Sequence, residues 1–203
     1  MGFFHDDVTE AALATDVTRL SRLFGEPDDL LPLWIAEPYL PLAPGVVAAL
    51  QDRAAREWYG YEARPPGAVQ AFWEWMGSRH GWDGSGLETL ISPSVGTSIG
   101  VLLELLTETG DGVILQPPVF TDFKPLITRA NRAVVRNSLV LGDDGYRMDL
   151  EGLATAAADP TNRALILCNP HNPVGRVWTT DELAAVAAVC AEHDVFVIAD
   201  EIH

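Results

Sequence analysis

The sequence predicts an α/β protein built on a mostly parallel sheet flanked by helices. Three observations carry that expectation. Residues 164–168 and 195–199 are short, nearly uninterrupted apolar runs, the pattern of strands buried on both faces of a parallel sheet. Between them, Thr179-Thr180-Asp181-Glu182 reads as a capping box ahead of an Ala/Val/Leu-rich stretch, so the connection is a helix. From Leu87 onward such patterns alternate regularly, as in successive βαβ units.

Taken in order, residues 1–30 carry a mixed helical pattern, with Leu13, Val17, Leu20 and Leu23 on one stripe, broken at Pro27-Asp28-Asp29. Residues 31–36 form a short apolar segment, followed by the irregular Glu37-Pro38-Tyr39-Leu40-Pro41. Pro44 suits a first helical turn, and residues 46–58 continue as an amphipathic helix that Gly60-Tyr61 ends. A second helix over 68–79 stops near Gly81; its Phe72, Trp73 and Trp75 read as core or subunit interface. Strands are expected at 89–92, 113–116, 133–137, 164–168 and 195–199. Helices near 97–108, 121–130, 150–158 and 180–192 separate them.

Composition narrows the class. With 48% apolar and 21% charged residues, the chain reads as ordinary and globular. A net charge of −16 argues against nucleic acid, whose phosphates need basic surface. No apolar run reaches membrane-spanning length, and the start, with His5, Asp6 and Asp7, is not a signal peptide. Cys168 and Cys190 fall in a strand and a helix expected to be buried, which suggests reduced thiols and a cytoplasmic setting. Lys124 is the sole lysine beside twelve arginines.

Several polar residues stand where strands end. Asp200 closes an apolar strand; an acid there has lost hydration and needs a cationic partner. Glu201 points the other way along the strand. Ser94-Val95-Gly96-Thr97 opens an apolar helix. It is either an ordinary Ser/Thr N-cap or a phosphate site made of free N–H groups and the positive helix end, with Gly96 allowing close approach. No Gly-x-Gly-x-x-Gly and no P-loop lysine accompany it. Asn172 lies between Pro170 and Pro173, which restrict its backbone; a turn role suits it equally. Phe120 follows another strand end and by itself reads as core.

Cys168-Asn169-Pro170-His171-Asn172-Pro173-Val174-Gly175 and Asp200-Glu201-Ile202-His203 together resemble the fold type I pyridoxal 5'-phosphate (PLP) enzymes, the aminotransferase class I/II superfamily. His203 and Leu31-Pro32-Leu33-Trp34-Ile35-Ala36-Glu37 are most similar to the cystathionine β-lyase-type C–S lyases. The resemblance runs from about Leu30 onward. It departs from the pattern at Glu37-Pro38-Tyr39-Leu40, where the lyases read Glu-Met-Asp-Phe or Asp-Met-Asp-Phe at the substrate entrance.

The resemblance implies a PLP-dependent transferase-like large domain over 46–203, preceded at 1–45 by a segment of the small domain and the substrate entrance. It implies that Ser94, Val95 and Gly96 hold the cofactor phosphate and that Phe120 stacks on the pyridine ring. Asn172 would donate to the phenolic oxygen, Asp200 would pair with the pyridine nitrogen, and His203 would lie near the phenolic oxygen as the tentative catalytic residue. Tyr61, with Arg64 beside it, would reach the neighbouring subunit's phosphate in a homodimer with shared active sites. Asn169 is structural. The lysine that holds PLP as a Schiff base lies, in the family, beyond the Asp-Glu-Ile-His segment. The chain is therefore expected to be the N-terminal part of a C–S β-lyase, truncated before that lysine and before the C-terminal small domain. It would take an amino-acid substrate and use neither nucleic acid nor membrane. Aminotransfer, or an inactive fragment, are the alternatives.

Overall fold

In the computed structural model, which describes residues 13–25, 31–37, 40–61 and 67–203, the apolar runs become neighbouring parallel strands. The strands are β1 (Gly112–Leu115), β2 (Ala133–Arg136), β3 (Val140–Gly142), β4 (Gly145–Arg147), β5 (Asn162–Cys168) and β6 (Phe196–Asp200). The main sheet has the order β2-β1-β5-β6, every pair parallel. Helices α1 (Val17–Phe24), α2 (Pro44–Ala54), α3 (Gly67–His80), α4 (Val95–Leu106), α5 (Phe123–Arg129), α6 (Leu150–Ala157) and α7 (Thr180–Glu192) complete the elements, with a single 3₁₀ turn at Leu13–Thr15.

The chain divides into two units, Met1–Pro66 and Gly67–His203. In the first, α1 begins at Asp16, whose carboxylate accepts from Arg19 N at 2.8 Å, and buries Leu20. Helix α2 stops at Ala54 rather than running to Trp58. The Tyr59 hydroxyl turns back onto the carbonyls of Arg53 and Ala54, capping acceptors that would otherwise want another turn. The helix is not amphipathic in effect, because none of its residues is buried.

In the second unit the strand side chains alternate between two packed faces. On one face Ile114, Leu165 and Leu167 meet Leu153 and Ala157 of α6 and Val186 and Cys190 of α7. On the other, Val113, Leu115, Ile166 and Ile198 meet Ile99 and Leu103 of α4 and Phe123 and Ile127 of α5. Both cysteines are free and buried. Arg132, just before β2, donates to the Thr107 carbonyl and hydroxyl and to Glu104. These bonds fix the C-terminus of α4 at the amino ends of the strands, so its N-terminus lies at their carboxyl ends.

The structure departs from expectation at four further points. Residues 195–199 form β6, but Phe196, Val197 and Ala199 are exposed, so this strand is not buried on both faces. Residues 89–92 form no strand: Leu90 and Ile91 are exposed, and the segment is held by the Trp73 indole N–H donating to the Thr89 hydroxyl at 2.9 Å instead of by ladder hydrogen bonds. On α3, Phe72 and Trp75 are exposed and Trp73 is half-buried, which removes the core alternative for Phe72 and Trp75 and leaves the subunit-interface one. The antiparallel hairpin β3–β4 was not expected. Residues 5–7 and 27–29, Pro38, Tyr39 and Arg64 lie outside the described residues. Among the described residues no helix is long and apolar enough to cross a membrane.

The capping box at Thr179 forms: its hydroxyl accepts from Glu182 N, and Glu182 accepts from Thr179 N. Arg176 adds two bonds to the same carboxylate at 2.7 and 2.8 Å. Burial opposes ionisation of Glu182, but the Thr179 N–H and hydroxyl and the Arg176 guanidinium together hold it below the ordinary 4.5. A depressed carboxylate stabilises the fold above its unfolded value and loses that contribution as pH falls through the folded one. Glu182→Gln is therefore expected to cost about 1 kcal/mol at pH 7, with the deficit shrinking below the ordinary 4.5. Denaturant melts of both proteins across that range check it.

Candidate functional site

The carboxyl ends of β1, β5 and β6 and the N-terminus of α4 meet at one edge of the sheet, where open α/β folds bind ligands. Ser94 adopts extended backbone angles, φ −161° and ψ 159°, and its hydroxyl accepts from Thr97 N at 3.1 Å. That bond occupies the serine oxygen, which also pairs with the Thr97 hydroxyl at 2.9 Å. The N–H groups of Val95 and Gly96 make no hydrogen bond to the described residues, as expected of a first helical turn. A side chain at Gly96 would meet nothing of this chain closer than 3.9 Å, so packing within the chain does not require glycine there.

Asp200 is 7% exposed. It shares a strand face with Ile198, which packs on the α4 side. One carboxylate oxygen accepts from Ile202 N at 3.0 Å. Among the described residues no cation pairs with it. A buried carboxylate with so little compensation is costly unless a cation completes it.

Its neighbour across the ladder is Cys168, after which the chain turns sharply. Asn169 donates its N–H to the Asp200 carbonyl at 3.0 Å and accepts from Trp178 N at 3.1 Å, a structural brace. Asn172 is half-buried. Its backbone N–H points at Cys168 Sγ at 3.4 Å, and its carboxamide makes no hydrogen bond to the described residues, leaving it available. Phe120 is 40% exposed and meets Phe123 edge-to-face at 5.5 Å, so it is not sunk in the core.

With this edge built, the comparisons decide the family. The model for "Aminotransferase class I and II" matches residues 29–203. The chain belongs to the aminotransferase class I and II family. Among its relatives in that family, cystathionine beta-lyase PatB of Bacillus subtilis is 36% identical over 200 residues, covering 97% of this chain and 51% of that protein. Protein MalY of Escherichia coli is 33% identical over 176 residues, 86% of this chain and 45% of that protein. The crystal structure of cystalysin from Treponema denticola, which contains a pyridoxal 5'-phosphate cofactor, matches with a TM-score of 0.86 at 28% identity over 100% of this chain and 52% of that one. The chain spans about half the length of the curated relatives it matches.

Of the residues singled out in the sequence, Ser94, Val95, Gly96, Phe120, Asn172 and Asp200 lie in the second unit around this one edge. His203 follows Asp200 but is exposed, as is Glu201. Tyr61 belongs to the first unit and is fully exposed. Lys124 is exposed on α5. Sequence reasoning overlooked Cys168 as a contact of Asn172 and assigned nothing to His171; the only available signal was their place inside the Cys-Asn-Pro-His-Asn-Pro run.

Burial raises the Cys168 thiol above its ordinary value; the Asn172 N–H works against this and the charge of Asp200 adds to it. Burial alone pushes Cys190 up to about 11. Thiolates, not thiols, are the reactive species. Both cysteines are expected to react with iodoacetamide at pH 8 at least ~100-fold more slowly in the native protein than after unfolding, checked by mass spectrometry of timed alkylation.

Proposed function

We propose that this chain forms the cofactor-holding part of a PLP-dependent carbon–sulfur lyase acting on cystathionine or cysteine S-conjugates and releasing a thiol, pyruvate and ammonia. The observation that carries the proposal is the buried Asp200 carboxylate at the strand end without a cationic partner among the described residues. A protonated pyridine nitrogen supplies the missing cation. The cradle opposite fits the cofactor's other end: the Val95 and Gly96 N–H groups and the positive end of α4 suit a phosphate.

PLP, when bound, accepts the electron pair left on the substrate's Cα after deprotonation. The chain's own residues make that possible. Asp200 keeps the proton on the ring nitrogen. Val95 and Gly96, with Ser94, anchor the phosphate so that the ring cannot slide. Phe120 stacks on the ring and excludes water from one face, and Asn172 donates from its carboxamide to the phenolic oxygen. His203 is assigned near that oxygen. Tyr61 is assigned to the phosphate of a partner subunit, which makes the active enzyme a homodimer. The Schiff-base lysine is assigned outside the 203 residues, since Lys124 sits exposed on α5. The two buried free thiols suit a reducing, cytoplasmic compartment.

Lyase chemistry is favoured over transfer by Trp34-Ile35-Ala36-Glu37 and His203, and by the name cystathionine beta-lyase carried by a relative covering 97% of the chain. An aminotransferase is the second reading, supported by a relative named "Probable N-succinyldiaminopimelate aminotransferase DapC", 33% identical over 57% of this chain. The two separate in one assay. With L-cystathionine the full-length enzyme is expected to release pyruvate without any keto acid; an absolute requirement for 2-oxoglutarate establishes the transferase instead. Asp200→Ala is expected to lower turnover by about two to three orders of magnitude while phosphate-anchored PLP stays partly bound, measured by steady-state kinetics and PLP absorbance after gel filtration. Turnover within a few-fold of wild type refutes the role of Asp200.

A further inference from the structure

His171 is the one buried titratable ring in the second unit that the proposed function leaves without a task. It is 1% exposed. Its Nε2 lies 3.0 Å from the carbonyl oxygen of Pro118. A carbonyl only accepts, so Nε2 carries a proton and donates it to Pro118. Burial lowers its proton affinity below the ordinary value, against the pull of the carbonyls of Pro118, Cys168 and Gln116. Its other nitrogen, Nδ1, has no hydrogen-bond partner among the described residues. A buried ring with one nitrogen unpaired costs stability, and the bond to Pro118 offsets part of that cost.

That bond joins two loops distant in sequence. Pro118 stands two residues before Phe120 in the loop after β1; His171 stands immediately before Asn172 in the turn after β5. The imidazole is itself immobilised. Its backbone N–H donates to the Arg176 carbonyl at 2.7 Å, and its carbonyl accepts from Gly175 N at 2.8 Å. The ring meets Trp178 edge-to-face at 5.4 Å, and the Trp178 indole N–H donates to the Cys168 carbonyl at 3.0 Å. The turn is thus braced internally, and among the described residues its side-chain hydrogen bond to the Phe120 loop is the one from His171 to Pro118.

We propose that His171 is a positioning residue: its Nε2–H tie to Pro118 sets the spacing between the Phe120 ring and the Asn172 carboxamide, and thereby the fit of PLP between them. The second half of this statement rests on the function proposed above.

Two variants separate the tie from mere packing. His171→Phe keeps the ring and its contact with Trp178 but removes the donor. His171→Gln loses the ring but carries an N–H donor the same number of bonds from Cα. In the full-length holoenzyme, His171→Phe is expected to weaken PLP binding at least ~10-fold and to diminish the visible circular dichroism of bound PLP. His171→Gln is expected to stay within ~3-fold of wild type and to keep the signal. Equal loss in both variants, or none in His171→Phe, overturns the proposal. Amide hydrogen exchange on the apo protein reads the tie without cofactor: residues 117–121 and 169–175 should lose protection together in His171→Phe and keep it in His171→Gln. If wild type binds no PLP, the proposed function falls. The exchange pattern then still decides the tie, and uncoupled loops overturn it.

Discussion

Everything in the second unit depends on β5 being covered on both faces. Its residues alternate between the α6/α7 side and the α4/α5 side, and five consecutive side chains from Ala164 to Cys168 are buried. Removing that much apolar surface from water contributes roughly 1.5–3 kcal/mol for each large aliphatic side chain. It also dictates where polarity can go. No polar side chain fits within residues 164–168, so the hydrogen-bonding and charged groups collect where the strand ends.

The helices then convert that edge into a site. Arg132 draws the C-terminus of α4 to the amino ends of the strands, which aims the free N–H groups of its first turn at the opposite edge. Asn169 and Trp178 fold the chain back on itself after β5, and the Thr179–Glu182–Arg176 cluster starts α7 directly afterwards. The braces after β5 are local while that of Arg132 spans 25 residues, and together they leave Asp200, Asn172 and the α4 terminus under-satisfied around one edge. Under-satisfied polar groups cost free energy in the isolated chain. A charged, flat, phosphate-bearing ligand is the kind of molecule that recovers it.

The first unit is built differently. Among its described residues only Leu20 is buried among the large apolar side chains, and its contacts include cations over aromatic rings, Arg19 over Trp34 and Arg53 over Tyr59. Such contacts hold short segments in shape without a core of their own.

The sequence by itself determined the strand at the centre of the parallel sheet, because residues 164–168 are apolar without alternation and become buried on both faces; residues 195–199 carry the same pattern, yet Phe196, Val197 and Ala199 of β6 are exposed, so that strand is covered on one face only. It determined the start of α7, because a capping box is satisfied within four residues. It also determined that Asp200 ends a strand, and so where chemistry gathers. The hairpin β3–β4 left only a faint mark, Asp143-Asp144 between two three-residue strands, and it becomes visible only when those strands pair. Residues 89–92 have a strand's composition, but the Thr89 side chain is claimed by Trp73. The bond from His171 to Pro118 joins residues 53 apart in sequence. No local pattern encodes such a contact, because its distance is set by how β1 and β5 lie side by side in the sheet.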